Sequence, residues 1–467
     1  MALVQLSIWE FGIATSFLLL LLSTFLRKKF SSREKTLKGE TLNILPSPPK
    51  LPIIGHLHLL GTSPHLSLTR LSEKFGPFFH LQLGHIPSFV ISSARLAKEV
   101  MTTHDVNFSS RPQLYAAKHL FYNCTDMAFS PYGAYWRHIR KICILELLSA
   151  KKVQSDSFIR EEAVAQLVQR VAESYPGTTN LTKILGLYAN DVLCRAAFGR
   201  YFSSGGEFEK HDFQKLLEEY QVLLGGFSVG DYFPSMEWLN VVTGAKSRLV
   251  KTFRRFDDFF DTVTRIWLMF CFDLQKGGSL EMALTMDNIK AVILKAQTEI
   301  RTIMGERKTV LERDLSEIYY LKAALKEILR LHPPSPLIPR ESMDEVKIDG
   351  YTIPAKGRVY VNAWAIGKDP NLWENPESFE PERFMGSTID FRGIDFELIP
   401  FGAGRRSCPA IIFGAASMEL ALAQLLHSFD YELPPGVDAK DFNKTDVFGV
   451  TMHREEKLIV IAKPHFK

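Results

Sequence analysis

Cysteine is scarce in this chain, with five in 467 residues: Cys124, Cys143, Cys194, Cys271 and Cys408. They are scattered, odd in number and never spaced as CxxC. A disulfide framework, a structural zinc site and an iron–sulfur centre all need clustered ligands, so all three are excluded. Four of the five read as small core residues, the usual fate of an unpaired cysteine, and the compartment for the bulk of the chain reads as reducing. Charge of one sign is lacking too. The 56 basic and 52 acidic side chains leave a net charge of +4, and no basic stripe marks a nucleic-acid partner. After residue 50 there is no internal repeat, low-complexity tract or long polar linker. Length alone would allow roughly three domains, but without linkers one large domain is the reading.

What is abundant is apolar. The hydrophobic fraction of 46% suffices for a large core, and 34 phenylalanines point to aromatic-lined interior space. One run stands apart: "FGIATSFLLLLLSTFL" over 11–26. A helix of about 20 residues crosses a bilayer core. Six basic residues follow the run (Arg27, Lys28, Lys29, Arg33, Lys35, Lys38), whereas the first ten positions carry only Glu10. That order is the reverse of a cleaved signal, and by the positive-inside rule it places the downstream chain in the cytosol. The expected layout is a membrane anchor helix over 1–27, a basic and proline-rich hinge over 28–52, and a catalytic domain over 53–467. Pro46, Pro48, Pro49 and Pro52 stiffen the end of the hinge towards an extended backbone.

In the domain, "PFFHLQLG" and "SFVISS" (77–93) read as two short strands around a Gly-His-Ile-Pro turn, leading into a helix near 95–103. Apolar spacing of three to four predicts mainly helix from about 112 to 330, for example over 157–173 and 210–224. Beyond Pro333 and Pro334 the alternating, glycine-punctuated "VKIDGYTIPAKGRVYVNAW" predicts short strands. A last helix is expected over about 411–428 and a last strand at "KLIVIAKP". The fold class is mainly α with minor β, the β material lying at the two ends of the sequence.

Cys408 closes "IPFGAGRRSC" and precedes the helix "IIFGAASMELALAQLLHSF". A helix N-terminus favours thiolate over thiol. Gly402 and Gly404 allow a tight turn, Pro409 suits a first helical turn, and Arg405 and Arg406 bring positive charge. Such a thiolate could be a nucleophile, a redox thiol or a metal ligand. None of the 13 histidines announces itself as a base for the first role. Phe401, Ile411, Ile412 and Phe413 are expected to wrap the sulfur in apolar surface, against the exposure the second needs. A single wrapped thiolate beside arginines fits axial ligation of haem iron, with Arg406 reaching a propionate.

Here the sequence resembles a known family. "FGAGRRSCPA" looks like the haem-binding loop of the cytochrome P450 superfamily, Phe-x-x-Gly-x-Arg-x-Cys-x-Gly, matched at Phe401, Gly404, Arg406 and Cys408; Ala410 departs by one methyl. "KEILR" carries the family's Glu-x-x-Arg as Glu327 and Arg330, which by itself would read as an ordinary surface ion pair. The resemblance adds Arg383 in "FEPERF" as a third partner holding the proximal loop. It also implies propionate contacts from Arg340 and from Trp136 and Arg140 in "WRHIR". "LRLHPPSPLIPRE" and "NAWAIGKDPNLWENPESFEPERF" resemble the plant microsomal type. The resemblance implies a P450-like fold behind the anchor and haem b with axial thiolate. It implies monooxygenation of a small apolar substrate in plant specialised metabolism, with electrons from an NADPH-dependent cytochrome reductase at the endoplasmic reticulum membrane. It implies no nucleic-acid partner.

One family element has no match. The distal helix is expected to carry Ala/Gly-Gly-x-Asp/Glu-Thr-Thr, whose acid and threonine relay protons. "LTMDNIKAVIL" (284–294) resembles its start, but "KAQTEIRTIMG" (295–305) resembles a helix expected well downstream. The gap is roughly 35 residues, about 50 Å as helix. "PGTTN" (176–180) has two threonines without an acid, and "TRIWLMFCFDLQKGG" (264–278) is more aromatic than the family leads one to expect. Without the family, 284–304 reads as one amphipathic helix of ordinary length. With it, the chain resembles a P450 whose distal helix is truncated, and an impaired or inactive haem-thiolate protein is the alternative function.

Overall fold

The computed structural model describes residues 45–198, 213–267, 286–437, 446–449, 451–454 and 456–466. The expected anchor, most of the hinge, Cys271 and most of the aromatic stretch 264–278 lie outside them. Every element named below belongs to one compact unit, Leu45–Asp349 with Ile353–Lys467.

β1 (Phe78–Leu83) and β2 (Ile86–Ile91) form the expected hairpin, paired antiparallel from Phe78↔Ile91 to Leu83↔Ile86. The turn is tighter than expected, since Ile86 and Pro87 already belong to β2. The helices that position the site are α1 (Ala134–Ile142), α2 (Ser157–Ala172), α3 (Leu181–Phe198), α4 (Met286–Met304), α5 (Tyr319–Leu331) and α6 (Ile411–Ser428). β3 (Thr179–Asn180), β4 (Leu337–Glu341), β5 (Arg358–Asn362), β6 (Phe429–Glu432) and β7 (Ile459–Pro464) complete the strands used here.

The expectation that β material sits at the two ends of the sequence is refined in two ways. First, the ends meet: β5 pairs parallel with β2 (Ser88↔Arg358 to Ile91↔Val361) and antiparallel with β4, so the sheet order is β1–β2–β5–β4. Alternation puts Phe79, Leu81, Val90, Val359 and Val361 on buried faces. Asn362 ends β5 by accepting a hydrogen bond from Ala365 N, the N-cap of a short helix Ala363–Gly367. Second, the two-residue β3 lies mid-chain in "PGTTN" and pairs with β7, which also pairs with β6.

The main core lies where α2, α3, α4 and α6 pack, through Leu167, Val171, Val192, Ile300, Leu420 and Ala423. Each such fully buried Leu, Ile or Val side chain contributes about 1.5–3 kcal/mol of transfer free energy, before its conformational entropy is subtracted. α6 is the one helix among the described residues long and apolar enough to cross a membrane. Leu420, Ala421, Ala423 and Leu425 on it are core residues, which accounts for its apolarity. α4 runs unbroken through Leu294 and Lys295, where the two family-like halves join. Its C-terminal half is well tied down. Gln297 donates to Phe429 O at 2.9 Å, Arg301 pairs with Asp430 at 2.9 Å, and the Glu299 carboxylate accepts from the backbone N–H groups of Tyr319, Tyr320 and Leu321 at the start of α5.

Candidate active site: an arginine group around the cysteine loop

The cysteine loop is built by backbone geometry. Gly402 and Gly404 have φ of +71° and +67°, in the left-handed region that favours glycine. A Cβ on Gly404 would stand 2.2 Å from Met101 O, so this position needs glycine for approach as well as for φ. The 3-10 turn Gly404–Arg406 follows, and Cys408 N donates back to Phe401 O at 3.0 Å. The Phe401 ring packs edge-on against Phe391, with centroids 5.7 Å apart. Two sequence expectations are corrected. α6 begins at Ile411, with Ala410 at its N-cap, so Pro409 lies outside the helix and Cys408 three residues ahead of it. Ile412 is 45% exposed, so it does not wrap the sulfur, and Cys408 itself is half-buried. Cys124, Cys143 and Cys194 are buried, and burial pushes the Cys124 thiol up to about 11.

Around this loop the structure gathers four guanidinium groups. α1 presents Trp136 and Arg140 one turn apart. Two cations lie over the Trp136 ring, Arg406 at 4.1 Å and Arg140 at 5.3 Å from its centroid, while its Nε1 donates to Met127 O. Arg140 Nη2 donates to Ser407 O at 2.7 Å, beside the cysteine. Arg406 reaches the carbonyls of Ser109, Met127 and Ser130. Arg340, on β4, donates through Nη2 to Ala403 O at 2.9 Å. The fourth is Arg111, absent from the sequence reading, whose Nη1 donates to Pro339 O next to Arg340.

This group is short of negative charge. Burial lowers the pKa of all four, to about 10 for Arg111 and about 9 for Arg406. At Arg340 the like charges of Arg111, Arg406 and Arg140 add to burial, while Asp105 opposes them. Arg340 Nε and Nη1 and Arg111 Nε are buried without a hydrogen-bond partner. Buried polar groups are normally satisfied, so three orphaned cationic donors mark a place for an anion.

Glu327, Arg330 and Arg383 meet as one network. Glu327 and Arg330 form a two-point pair at 2.7 Å with both side chains fully buried, so the surface ion-pair alternative is overturned. Arg383 Nε and Glu380 N also donate to Glu327, at 3.0 and 2.9 Å. Arg330 is further satisfied by the carbonyls of Gly367, Pro376 and Ser378 and stacks on Trp373. The network thus ties α5 to the segment that precedes the cysteine loop.

A mainly helical fold with one cysteine loop set among buried arginines defines a class of protein that holds a compact anionic group beside a thiol. The family model for cytochrome P450 matches residues 45–266 and 282–460, and the chain belongs to that family. It is 60% identical over 509 residues to cytochrome P450 71AP13 of Prunus mume, covering 100% of this chain and 98% of that one. Similarity to premnaspirodiene oxygenase of Hyoscyamus muticus is 40% over 512 residues, covering 97% and 98%. Strychnine-11-hydroxylase of Strychnos nux-vomica gives 40% over 503 residues, covering 97% and 98%. A zebrafish cytochrome P450 solved with progesterone shares the fold at a TM-score of 0.71 and 23% identity, covering 86% of this chain and 99% of that one. The chain is therefore an enzyme of P450 type related to those of plant specialised metabolism, and the family works with haem bound through a cysteine thiolate.

The residues fit that cofactor, whose propionates are anionic and whose iron takes one thiolate. The orphaned donors of Arg340 and Arg111 supply the first requirement and Cys408 the second. The alignment to the Prunus relative carries a further fact. It spans 509 positions and uses the whole chain of 467, so about 42 positions (509 less 467) have no counterpart here. The family match is itself interrupted between residues 266 and 282.

Proposed function

We propose that this chain is a haem-thiolate monooxygenase of plant specialised metabolism. It is anchored in the endoplasmic reticulum membrane by 1–27, spaced by the hinge 28–52, and folded as a cytosolic catalytic domain over 53–467. Its electrons come from an NADPH-dependent reductase, and its substrate is small and apolar; the relatives' hydroxylase and oxygenase names support the oxygenation itself. Cys408 would supply the thiolate that holds the haem iron. Arg340, Arg406, Arg140 and Trp136 would hold the propionate side, and Arg111 would join them. Gly404 and Phe401 shape the loop, while Glu327, Arg330 and Arg383 fix its approach. Bound haem supplies the chemistry that places one atom of O2 in the substrate. The observation that carries this reading is the buried arginine group, short of anions, beside the one cysteine ahead of α6.

A second reading is favoured by the positions missing against the Prunus relative. α4 joins "MDNIKAVIL" directly to "KAQTEIRTIM", with no acid-threonine pair. Two surface cavities, of about 520 and 510 Å3, are lined by Val241 with residues of Lys246–Arg255, and by Thr102–Asn107 with Met343, Asp344 and Arg405; Cys408 lines neither. On this reading haem binds, but proton delivery to O2 fails. A reduced carbon-monoxide difference spectrum of the full chain in membranes tests haem-thiolate binding, and no red-shifted Soret band would sink both readings. In a protein that shows the band, NADPH oxidation with reductase that ends in oxygenated product supports the first reading. Oxidation that ends in hydrogen peroxide, or does not occur, supports the second.

A further inference from the structure

The segment that meets the cysteine loop from the other end of the chain is Met101–Asp105. Met101 O is the atom that a Cβ on Gly404 would strike, so the two backbones touch there. Asp105 follows, and its carboxylate accepts from Arg405 N, at 3.2 Å through Oδ1 and 3.1 Å through Oδ2. Arg405 Nε approaches the same Oδ2 at 3.2 Å. Asp105 is itself held on both sides, its N–H donating to Thr102 O and its carbonyl accepting from Ser109 Oγ at 2.6 Å.

The turn has little of its own to keep its shape. Its bonds within 399–408 are Gly402 N to Ile399 O, Ser407 N to Gly404 O and Cys408 N to Phe401 O, none of which engages the Arg405 N–H. The N–H of Arg405, in the middle of the turn, is satisfied by Asp105, and a backbone donor left bare there would be costly. The same carboxylate opposes the positive charge at Arg340 and at Arg140. Burial raises the Asp105 pKa, against which Arg405 N–H and the charges of Arg340 and Arg405 act.

We infer that Asp105 is a positioning residue for Cys408: across 300 residues of sequence it fixes the turn Gly404–Arg406 by accepting the Arg405 N–H, and it supplies the acid the arginine group faces from that side. The inference deepens the reading of Cys408 as the haem ligand and rests on it for its consequence, though not for its geometry. Asp105 acts through Arg405 and does not touch the sulfur's ligand position.

Hydrogen–deuterium exchange of the full chain tests the geometry, with Asp105→Ala, Asp105→Asn and, as a control from the same surface cavity, Asp344→Asn. Loss of a charge-assisted hydrogen bond makes peptides spanning 399–408 exchange roughly tenfold faster in Asp105→Ala. Asp105→Asn keeps the size and one acceptor, so it exchanges roughly two- to threefold faster, and Asp344→Asn matches the parent. In haem-loaded protein, part of the Asp105→Ala carbon-monoxide band moves to shorter wavelength as thiolate ligation is lost, while Asp105→Asn keeps it. Exchange unchanged in both Asp105 variants overturns the inference, as does an equal change in Asp344→Asn. Should Asp105→Ala not fold, Asp105→Asn decides alone, and parent-like exchange refutes. A chain that takes up no haem brings down the cofactor reading, while the exchange result still decides the role of Asp105.

Discussion

Replacing Glu327 by alanine removes the acceptor on which two arginines and one backbone N–H converge. Arg330 gives it two bonds at 2.7 Å, and Arg383 and Glu380 N add one each, all where Glu327 and Arg330 are fully buried. Breaking a buried pair by deleting one partner costs about 3–5 kcal/mol, because the other charge stays behind without compensation. Arg330 keeps its three carbonyl partners, which places the expected loss near the lower figure, about 3 kcal/mol. Domains are stable by about 5–15 kcal/mol, so the variant gives up a fifth or more of its margin, and its unfolded fraction rises more than a hundredfold. Urea unfolding of the full chain, followed by helical circular dichroism, reads this as a lowered midpoint at an unchanged slope. Glu327→Gln keeps the volume and one acceptor oxygen without the charge, and falls between. Arg95→Ala calibrates the assay: its ion pair with Asp349 is 2.9 Å long, within 0.2 Å of the Glu327–Arg330 pair at 2.7 Å, but its side chain is 65% exposed, so its loss is within about 0.5 kcal/mol. The reasoning is refuted if Glu327→Ala shifts the midpoint no more than Arg95→Ala does.

Further outcomes follow from other parts of the site. Gly404→Ala puts a methyl 2.2 Å from Met101 O at a φ that costs a non-glycine residue about 1–2 kcal/mol, and haem content per protein measured by absorbance falls severalfold. Arg340→Met has opposite effects in the two forms: the haem-free chain melts higher, since one of four mutually repelling cations is gone, whereas haem dissociates faster. His65 is buried between Trp364 and Phe448, and burial lowers its pKa from 6.5 to about 4. Its folded pKa is depressed, so its contribution is full above pH 6.5 and is lost as pH falls towards 4, by up to roughly 3 kcal/mol. Melting temperature against pH checks this, and His65→Gln flattens that window.

What the sequence disclosed depended on distance along the chain. Glu327 and Arg330 are three residues apart, Trp136 and Arg140 four, and the loop around Cys408 is contiguous, so fixed short spacings carried them. The final helix was read with its true limits, 411–428, because a mostly apolar stretch, broken at Ser417, Glu419, Gln424 and His427, lies between a proline before it and a strand after it. Arg111 and Asp105 gave no such signal. Each is an ordinary charged residue in a loop, and its meaning comes from packing against Pro339 or Arg405, more than two hundred residues away. Even Glu327 and Arg330, singled out from their spacing, looked like a surface pair until burial was known. Ile412 failed for a related reason, since a run of four apolar residues around a turn cannot say which of them faces water. The strand Thr179–Asn180 is two residues long, too short to carry any periodicity.

The parallel pairing of Ile86–Ile91 with Arg358–Asn362 has a consequence for how the chain is made. The hairpin leaves the ribosome early, yet the strand that covers its inner edge comes about 270 residues later (362 less 91). At about 5–20 residues per second, that edge stands unpaired for roughly 15–50 seconds of synthesis. During that interval Phe89, Val90 and Ile91 present bare backbone donors and acceptors beside apolar side chains, an arrangement that recruits other strands. Cellular yield of the protein will therefore track the speed of translation between codons 92 and 362, and the capacity of chaperones to shield one short edge meanwhile, as much as the final stability of the fold.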